Sequence, residues 1–198
     1  MARLFLCSGN AHKVQEISAV LGPCVQVVTP RILGVALDVE ETEDTFDGNA
    51  LLKARAGFKL TGLPTLADDS GLCVDALGGL PGVRSARFAM DHGAGSGDAA
   101  NNTLLLEKLK DVPDSARGAH FVCVLALVHG GGEALFHGKL PGRIARSPAG
   151  QHGFGYDPLM ILEGGRSLAE LTEDEKNAIS HRARALAVAR EAIVKVAG

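Results

Sequence analysis

Arg3-Leu4-Phe5-Leu6-Cys7-Ser8-Gly9-Asn10-Ala11-His12-Lys13 is the stretch from which the fold is read. Arg3 to Cys7 is a short apolar run with the character of a buried strand. Gly9-Asn10 breaks it. Val14, Ile17, Val20 and Leu21 then recur at helical spacing over Ala11 to Leu21, and Gly22-Pro23 closes the helix. Strand followed at once by helix sets an alternation that the rest of the chain continues.

Val25 to Val28 suggests a second strand, and the acidic stretch Asp38 to Asp47 leads into a long helix over about Thr45 to Leu60. Thr65 to Ala67 and Leu72 to Val74 read as two strand pieces on either side of a break at Asp68-Asp69-Ser70-Gly71. Gly78 to Gly82 is a loop, Asp91 to Asp98 a Gly-rich link and Asn101 to Leu109 an amphipathic helix. Ala119 to Val128 and Ala134 to Leu140 flank His129-Gly130-Gly131-Gly132-Glu133, a hairpin signature. Leu159 to Leu162 makes a last strand, followed by helices near Thr172 to Ala178 and His181 to Val196. The expected fold class is α/β on a mixed β-sheet with flanking helices.

The 198 residues suffice for one domain spanning 1–198, or for two lobes around a shared core. The hydrophobic fraction of 46% is ample for burial, and the formal net charge of −3 gives no broad attraction for nucleic acid or an acidic membrane. No apolar run approaches the ~20 residues that cross a bilayer. Met1-Ala2-Arg3 enters a segment too short for a signal-peptide core, so a cytoplasmic location is expected. Cys7, Cys24, Cys73 and Cys123 show no C-x-x-C spacing and read as reduced thiols, three of them in apolar runs.

Several segments carry chemistry. In Ser8-Gly9-Asn10-Ala11-His12-Lys13, Gly9 permits a tight turn and close backbone approach. Ser8 and Asn10 can cap the helix or bond a ligand, and Lys13 can meet a phosphate near the free N–H groups of a helix start. An ordinary strand–helix turn with a solvated lysine is the plainer account. In Asp68-Asp69-Ser70-Gly71, adjacent residues on extended chain face opposite ways, so both carboxylates reach one metal only at a strand end or turn. Gly71 is read as supplying that turn. Asp69 is then metal ligand or general base for water, and Asp68 supports it.

Glu40-Glu41-Thr42-Glu43-Asp44 could be a solvated face or a helix-dipole partner, but Glu40 or Glu41 could also complete a Mg²⁺ shell. Asn49 and Lys53 share a helix face, with Lys53 a candidate phosphate ligand. Gly153-Phe154-Gly155-Tyr156-Asp157-Pro158 holds the only tyrosine; Phe154 can stack on a base and Asp157 can read its edge, or the aromatics can simply bury the loop. Lys176, His181 and Arg182 bring two cations and an imidazole to a helix junction where Ser180 is a natural N-cap. Phosphate grips and a metal site together make a nucleotide triphosphate the leading substrate.

In order along the chain, these segments resemble the inosine/xanthosine triphosphate pyrophosphatases, which clear noncanonical purine nucleotides. The similarity runs from Leu4 to about Arg190. Its markers are Ser8-Gly9-Asn10-x-x-Lys13, Thr45-Phe46-x-x-Asn49-Ala50-x-x-Lys53-Ala54 and Ala67-Asp68-Asp69-Ser70-Gly71-Leu72. Gly79-Leu80-Pro81-Gly82-Val83 with Ser85-Ala86-Arg87, then Gly153 to Pro158, then Ser180-His181-Arg182, complete the set. The resemblance implies a two-lobed α/β fold around an elongated sheet with a central nucleotide cleft, paired as a homodimer. It also implies Mg²⁺-dependent hydrolysis of ITP, dITP and XTP to monophosphate and pyrophosphate.

By position, Ser8 to Lys13, Lys53 and Ser70 would hold phosphates, while Asp69 would accept the proton and bind metal with Glu40 or Glu41. Phe154, Gly155, Tyr156, Asp157, Lys176, His181 and Arg182 would form the base pocket. Donors there would favour a six-carbonyl over adenine's amino group. Ser8 stands where threonine is commoner in the family, and either hydroxyl serves. Two rivals are a pyrophosphatase for modified pyrimidines and a sensor that binds without cleaving; the acid pair argues against the sensor.

Overall fold

The opening run forms β1 (Arg3–Cys7), whose Leu4, Phe5 and Leu6 are fully buried in the computed structural model, which describes residues 3–22, 25–37 and 39–197. Met1, Ala2, Pro23, Cys24 and Asp38, on which parts of the reading above rest, lie outside the described residues. The helix α1 (Ala11–Leu21) starts where Asn10 caps it and turns Ile17 and Leu21 inward. Next come β2 (Gln26–Val28), parallel to β1, and a single turn, α2 (Pro30–Leu33), that the apolar pattern is too short to reveal.

The long helix α3 (Phe46–Thr61) begins at its Thr45 N-cap, whose hydroxyl accepts from Gly48 N, and ends at Gly62 in the left-handed conformation (φ 67°). It packs against β1. Gly57 makes the close approach, since a Cβ there would stand 2.8 Å from Thr65 Cγ2 and 3.0 Å from the Phe5 ring.

The expected break at Asp68 to Gly71 does not exist. Thr65 to Val74 is one uninterrupted strand, β3, parallel to β1. Its residues are almost all buried, and Gly71 does not take up a positive φ. The turn is expected only if both carboxylates must face one metal, and here they face opposite sides of the strand, a placement costly for buried acids without counter-charge. Cations on either side of the strand remove that objection, as described below.

Helix α4 (Phe88–Asp91) and helix α5 (Gly97–Lys108) flank the Gly-rich link, which holds as turn and bend over 92–96, and α5 starts earlier than its apolar pattern. The hairpin is as expected but longer: β4 (Gly118–His129) and β5 (Gly132–Ile144) are joined by two glycines, a link that only antiparallel neighbours allow. The short β6 (Met160–Ile161) pairs antiparallel with β5. The chain ends in α6 (Glu173–Ile179) and α7 (His181–Ala197). Sheet order is β2-β1-β3-β4-β5-β6, with parallel and antiparallel pairs, so the mixed α/β class holds.

The chain divides into two compact units. One comprises Met1–Asp69, Cys123–Gly138 and Ser180–Gly198; the other comprises Ser70–Val122 and Lys139–Ile179. The first has its own core, in which Leu4, Leu6 and Leu66 meet Cys123, Leu125 and Leu186. α1 and α7 pack on one another within it. The second is built on Leu72, Phe88, Leu105, Phe121, Leu159 and Leu168. Cys7 and Cys123 are buried free thiols, while Cys73 is only half-buried.

In the first unit β5 presses its Gly138 onto the start of α7. A Cβ at Gly138 would lie 1.9 Å from the His181 carbonyl oxygen and 2.5 Å from Ala185 N, both backbone atoms that cannot swing aside. Gly138→Ala is therefore expected to destabilise the fold by about 2 kcal/mol or more, at the upper end of the range for overpacking. Urea unfolding measures it; a wild-type midpoint would contradict the packing.

Candidate active site

The β1–α1 turn is ordered by its own side chains. Ser8 Oγ accepts from Asn10 N at 3.2 Å, and Asn10 Oδ1 accepts from His12 N at 3.0 Å and Lys13 N at 3.2 Å. Asn10 thus satisfies two of the helix's open donors. Gly9, Asn10, Ala11 and His12 are exposed. Gly9 does not need its conformational freedom for this turn, because its φ is not positive and a Cβ would meet nothing within 4 Å. The tight turn that Gly9 permits is thus made without a positive φ.

Asp68 and Asp69 serve different neighbours because β3 is extended and sends successive side chains to opposite faces. Asp68 has a side chain 0% exposed. Its Oδ1 lies 2.5 Å from Lys13 Nζ and its Oδ2 2.8 Å from Arg182 Nε, with the Cys123 thiol donating to Oδ2 at 3.2 Å. Arg182 also pairs through Nη1 with Glu16. Burial would push the Asp68 carboxyl up, but the Arg182 and Lys13 charges outweigh it and hold the group well below the usual carboxylate range. The same burial forces the Cys123 thiol up, reinforced by Asp68.

On the other face Lys53 Nζ reaches three oxygens: Asp69 Oδ1 at 2.7 Å, Glu41 Oε1 at 2.7 Å and the Asp68 carbonyl at 2.9 Å. Burial pushes the Asp69 carboxyl up to about 6, with the Glu41 charge adding to the rise and Lys53 opposing it. Burial alone would lower the Lys53 ammonium, but Asp69 and Glu41 raise it on balance. Asp69 Oδ2 is buried and has no hydrogen-bond partner among the described residues.

Of the two acids left open in the sequence, Glu41 is half-buried and bonded to Lys53, whereas Glu40 is exposed. No group of three His, Cys, Asp or Glu side chains among the described residues makes a closed metal cage. Two carboxylates on one ammonium, with an open carboxylate oxygen, fit instead the sparse protein ligation of a hydrated Mg²⁺ that takes its remaining ligands from water and phosphate.

In the second unit the loop read as a base contact is tied down by its own backbone. Gly153 has φ 77°, and a Cβ would lie 2.1 Å from Asp157 Oδ2. Asp157 Oδ2 accepts from Phe154 N at 2.9 Å and from Lys176 Nζ at 2.6 Å, and that ammonium sits 4.5 Å from the centre of the Phe154 ring. Tyr156 is buried and donates to the Ser85 carbonyl at 2.9 Å, so it anchors the loop instead of facing outward. Gly155 N donates to Asp98 Oδ2 at 2.7 Å and its carbonyl accepts from Asn102 at 3.0 Å.

Lys13, Asp68 and Arg182 therefore form one cluster, Lys53, Asp69 and Glu41 a second, and Phe154, Asp157 and Lys176 a third. Ser180 caps α7 through Ala183 N, as expected, and buries His181 and Arg182 behind it. Arg182 is 1% exposed with its guanidinium on Asp68 and Glu16, a placement unlike the base-contacting cation inferred from its motif. Ser70 is half-buried. Glu16, Asp98 and Asn102 were not singled out by the sequence, and Cys123 was read only as a reduced thiol in an apolar run, not as a partner of Asp68. Only Glu16 carried a usable signal: it is an acid on the same helix as Lys13, close to the buried stripe.

The Ham1 family model matches residues 4–192, so the chain belongs to the Ham1 family. A dITP/XTP pyrophosphatase of Pseudomonas aeruginosa is 52% identical over 197 residues, covering 96% of each chain. One from Nocardia farcinica is 50% identical, covering 94% of this chain and 92% of its own. Among solved structures, a HAM1 protein from Coxiella burnetii superposes with TM-score 0.87 at 41% identity, covering 98% of this chain and all of its own (100%).

The Asp68 cluster generates a stability prediction. Removing Arg182 leaves a buried carboxylate with one cation fewer, a loss of about 3–5 kcal/mol when a buried pair is broken. Arg182→Ala should lower urea stability by that amount, and Asp68→Asn in the same background should restore part of it. A loss under about 1 kcal/mol would show that the pair is not what holds Asp68.

Proposed function

We propose that the chain hydrolyses noncanonical purine nucleoside triphosphates, namely dITP, ITP and XTP, to the monophosphate and pyrophosphate. Relatives near 50% identity over almost the whole chain bear the name dITP/XTP pyrophosphatase. The observation that carries the chemistry is Asp69: buried, raised to about 6, fixed at Oδ1 by Lys53 and open at Oδ2.

In this reading water attacks the α-phosphorus and breaks the α–β anhydride bond, with pyrophosphate as the leaving group. Asp69 Oδ2 is the atom that would orient this water and take its proton. A carboxyl raised to about 6 accepts a proton more readily than an ordinary one, and such a base contributes roughly 10²–10⁴-fold. Lys53 holds the carboxylate in one orientation and brings positive charge towards the triphosphate. Lys13, the Ser8-to-His12 turn and Ser70 would hold the remaining phosphate oxygens. Asp69 and Glu41 would hold Mg²⁺, which when bound neutralises charge accumulating on the leaving pyrophosphate.

Phe154 would stack on the purine. Lys176 and His181 would donate to the six-carbonyl, with Asp157 fixing the Lys176 ammonium. Gly155 and Tyr156 shape that loop, while Asp68 and Arg182 hold Lys13 and the end of β3 in place. We also read residues 1–198 as one catalytic domain acting as a cytoplasmic homodimer without nucleic-acid or membrane partners. No helix among the described residues is long and apolar enough to cross a membrane.

Asp69→Asn should lower kcat on dITP by roughly 10²–10⁴-fold with little change in KM. Wild type should release pyrophosphate, not orthophosphate, and should prefer dITP over dATP by roughly 10²-fold or more in kcat/KM. Orthophosphate as the first product, or an unimpaired Asp69→Asn, would refute the reading.

A further inference from the structure

Asn49 is fully buried, and its side-chain amide takes both backbone groups of Glu43. Glu43 N donates to Asn49 Oδ1 at 3.0 Å, and Asn49 Nδ2 donates to the Glu43 carbonyl at 3.0 Å. A single side chain thereby offers the acidic arm the donor–acceptor pair that a neighbouring strand would. The start of α3 does not need this bond, since Thr45 already accepts from Gly48 N at 3.1 Å and its carbonyl from Asn49 N at 3.1 Å. The amide serves the arm, not the helix.

Gly48 makes room for the same contact. It lies inside α3 without a positive φ, so the backbone alone would accept any residue. A Cβ there would stand 2.7 Å from Glu43 Cβ and 2.8 Å from Glu43 Cγ. One helical turn beyond Asn49, on the same face, Lys53 receives the Glu41 carboxylate at 2.7 Å. The arm is therefore seated on α3 at successive points, by its backbone at Glu43 and by its carboxylate at Glu41.

We propose that Gly48 and Asn49 are positioning residues for the metal site, clamping the acidic arm on α3 so that Glu41 is held beside Asp69. The proposal rests on the reading of Glu41 and Asp69 as the metal-holding pair. A carboxylate on an untethered arm must be ordered at the moment of binding, and that entropy weakens affinity. Supporting groups of this kind are worth about 10–100-fold in metal affinity.

Mn²⁺ binding to the full chain, read from the free-ion EPR signal, tests the proposal beside the Mg²⁺ dependence of dITP hydrolysis. Asn49→Ala should weaken Mn²⁺ binding about 10-fold or more. It should raise the Mg²⁺ needed for half-maximal rate by a similar factor, with kcat at saturating Mg²⁺ changed far less. Gly48→Ala should do the same while leaving the Asn49 amide in place. Because alanine favours a helix over glycine, any rise in its melting temperature would separate positioning from general loss of structure.

In a Glu41→Gln background, Asn49→Ala should add little further loss. Additive losses, or an Asn49→Ala protein that melts earlier with unchanged Mn²⁺ affinity, would overturn the clamp while leaving the metal pair standing. A Glu41→Gln protein that binds Mn²⁺ as wild type does would overturn the metal pair, and the clamp with it.

Discussion

Adjacent acids on one extended strand shape everything around them. Asp68 and Asp69 sit within β3, and the alternation of the chain sends their carboxylates to opposite faces. Neither could remain charged in so buried a place without help. Asp68 is met by Lys13 from α1 and Arg182 from α7, and Asp69 by Lys53 from α3. Three helices are thereby tied to one strand by charge.

The two acids end in unlike states because their surroundings differ. Asp68 has two cations and a thiol on its oxygens, and its carboxyl is held down. Asp69 shares a single ammonium with Glu41, and burial outweighs that ammonium. Titratable groups pushed apart in this way are the basis on which we propose a structural role for one and a reacting role for the other. One carboxylate holds the architecture, and the other is left able to exchange a proton.

Much of this was legible from the residues. The apolar runs and their Gly, Asn and Thr punctuation located β1, α1, α3, the β4–β5 hairpin and α7 to within a few residues. The Asp68–Asp69 doublet, Lys13, Lys53 and the Gly153-to-Asp157 loop were picked out by residue type. The error at Asp68 to Gly71 came from requiring both carboxylates to reach one metal, when each has its own cations on its own face of the strand. Local sequence cannot show that Arg182, far along the chain, supplies the counter-charge. α2 and α4 are single turns, too short to have a period. Asn49 was visible as a polar residue on a helix face, but its bond is to the backbone of Glu43, and backbone groups leave no mark on the residue pattern.

Carboxyl ¹³C NMR titration of the metal-free protein, with Asp68→Asn and Asp69→Asn used to assign the two signals, tests the central claim most directly. It should find Asp69 titrating near 6 while Asp68 stays ionised below the usual carboxylate range. Both signals titrating together near about 4, as for unperturbed aspartates, would contradict the division of labour across β3.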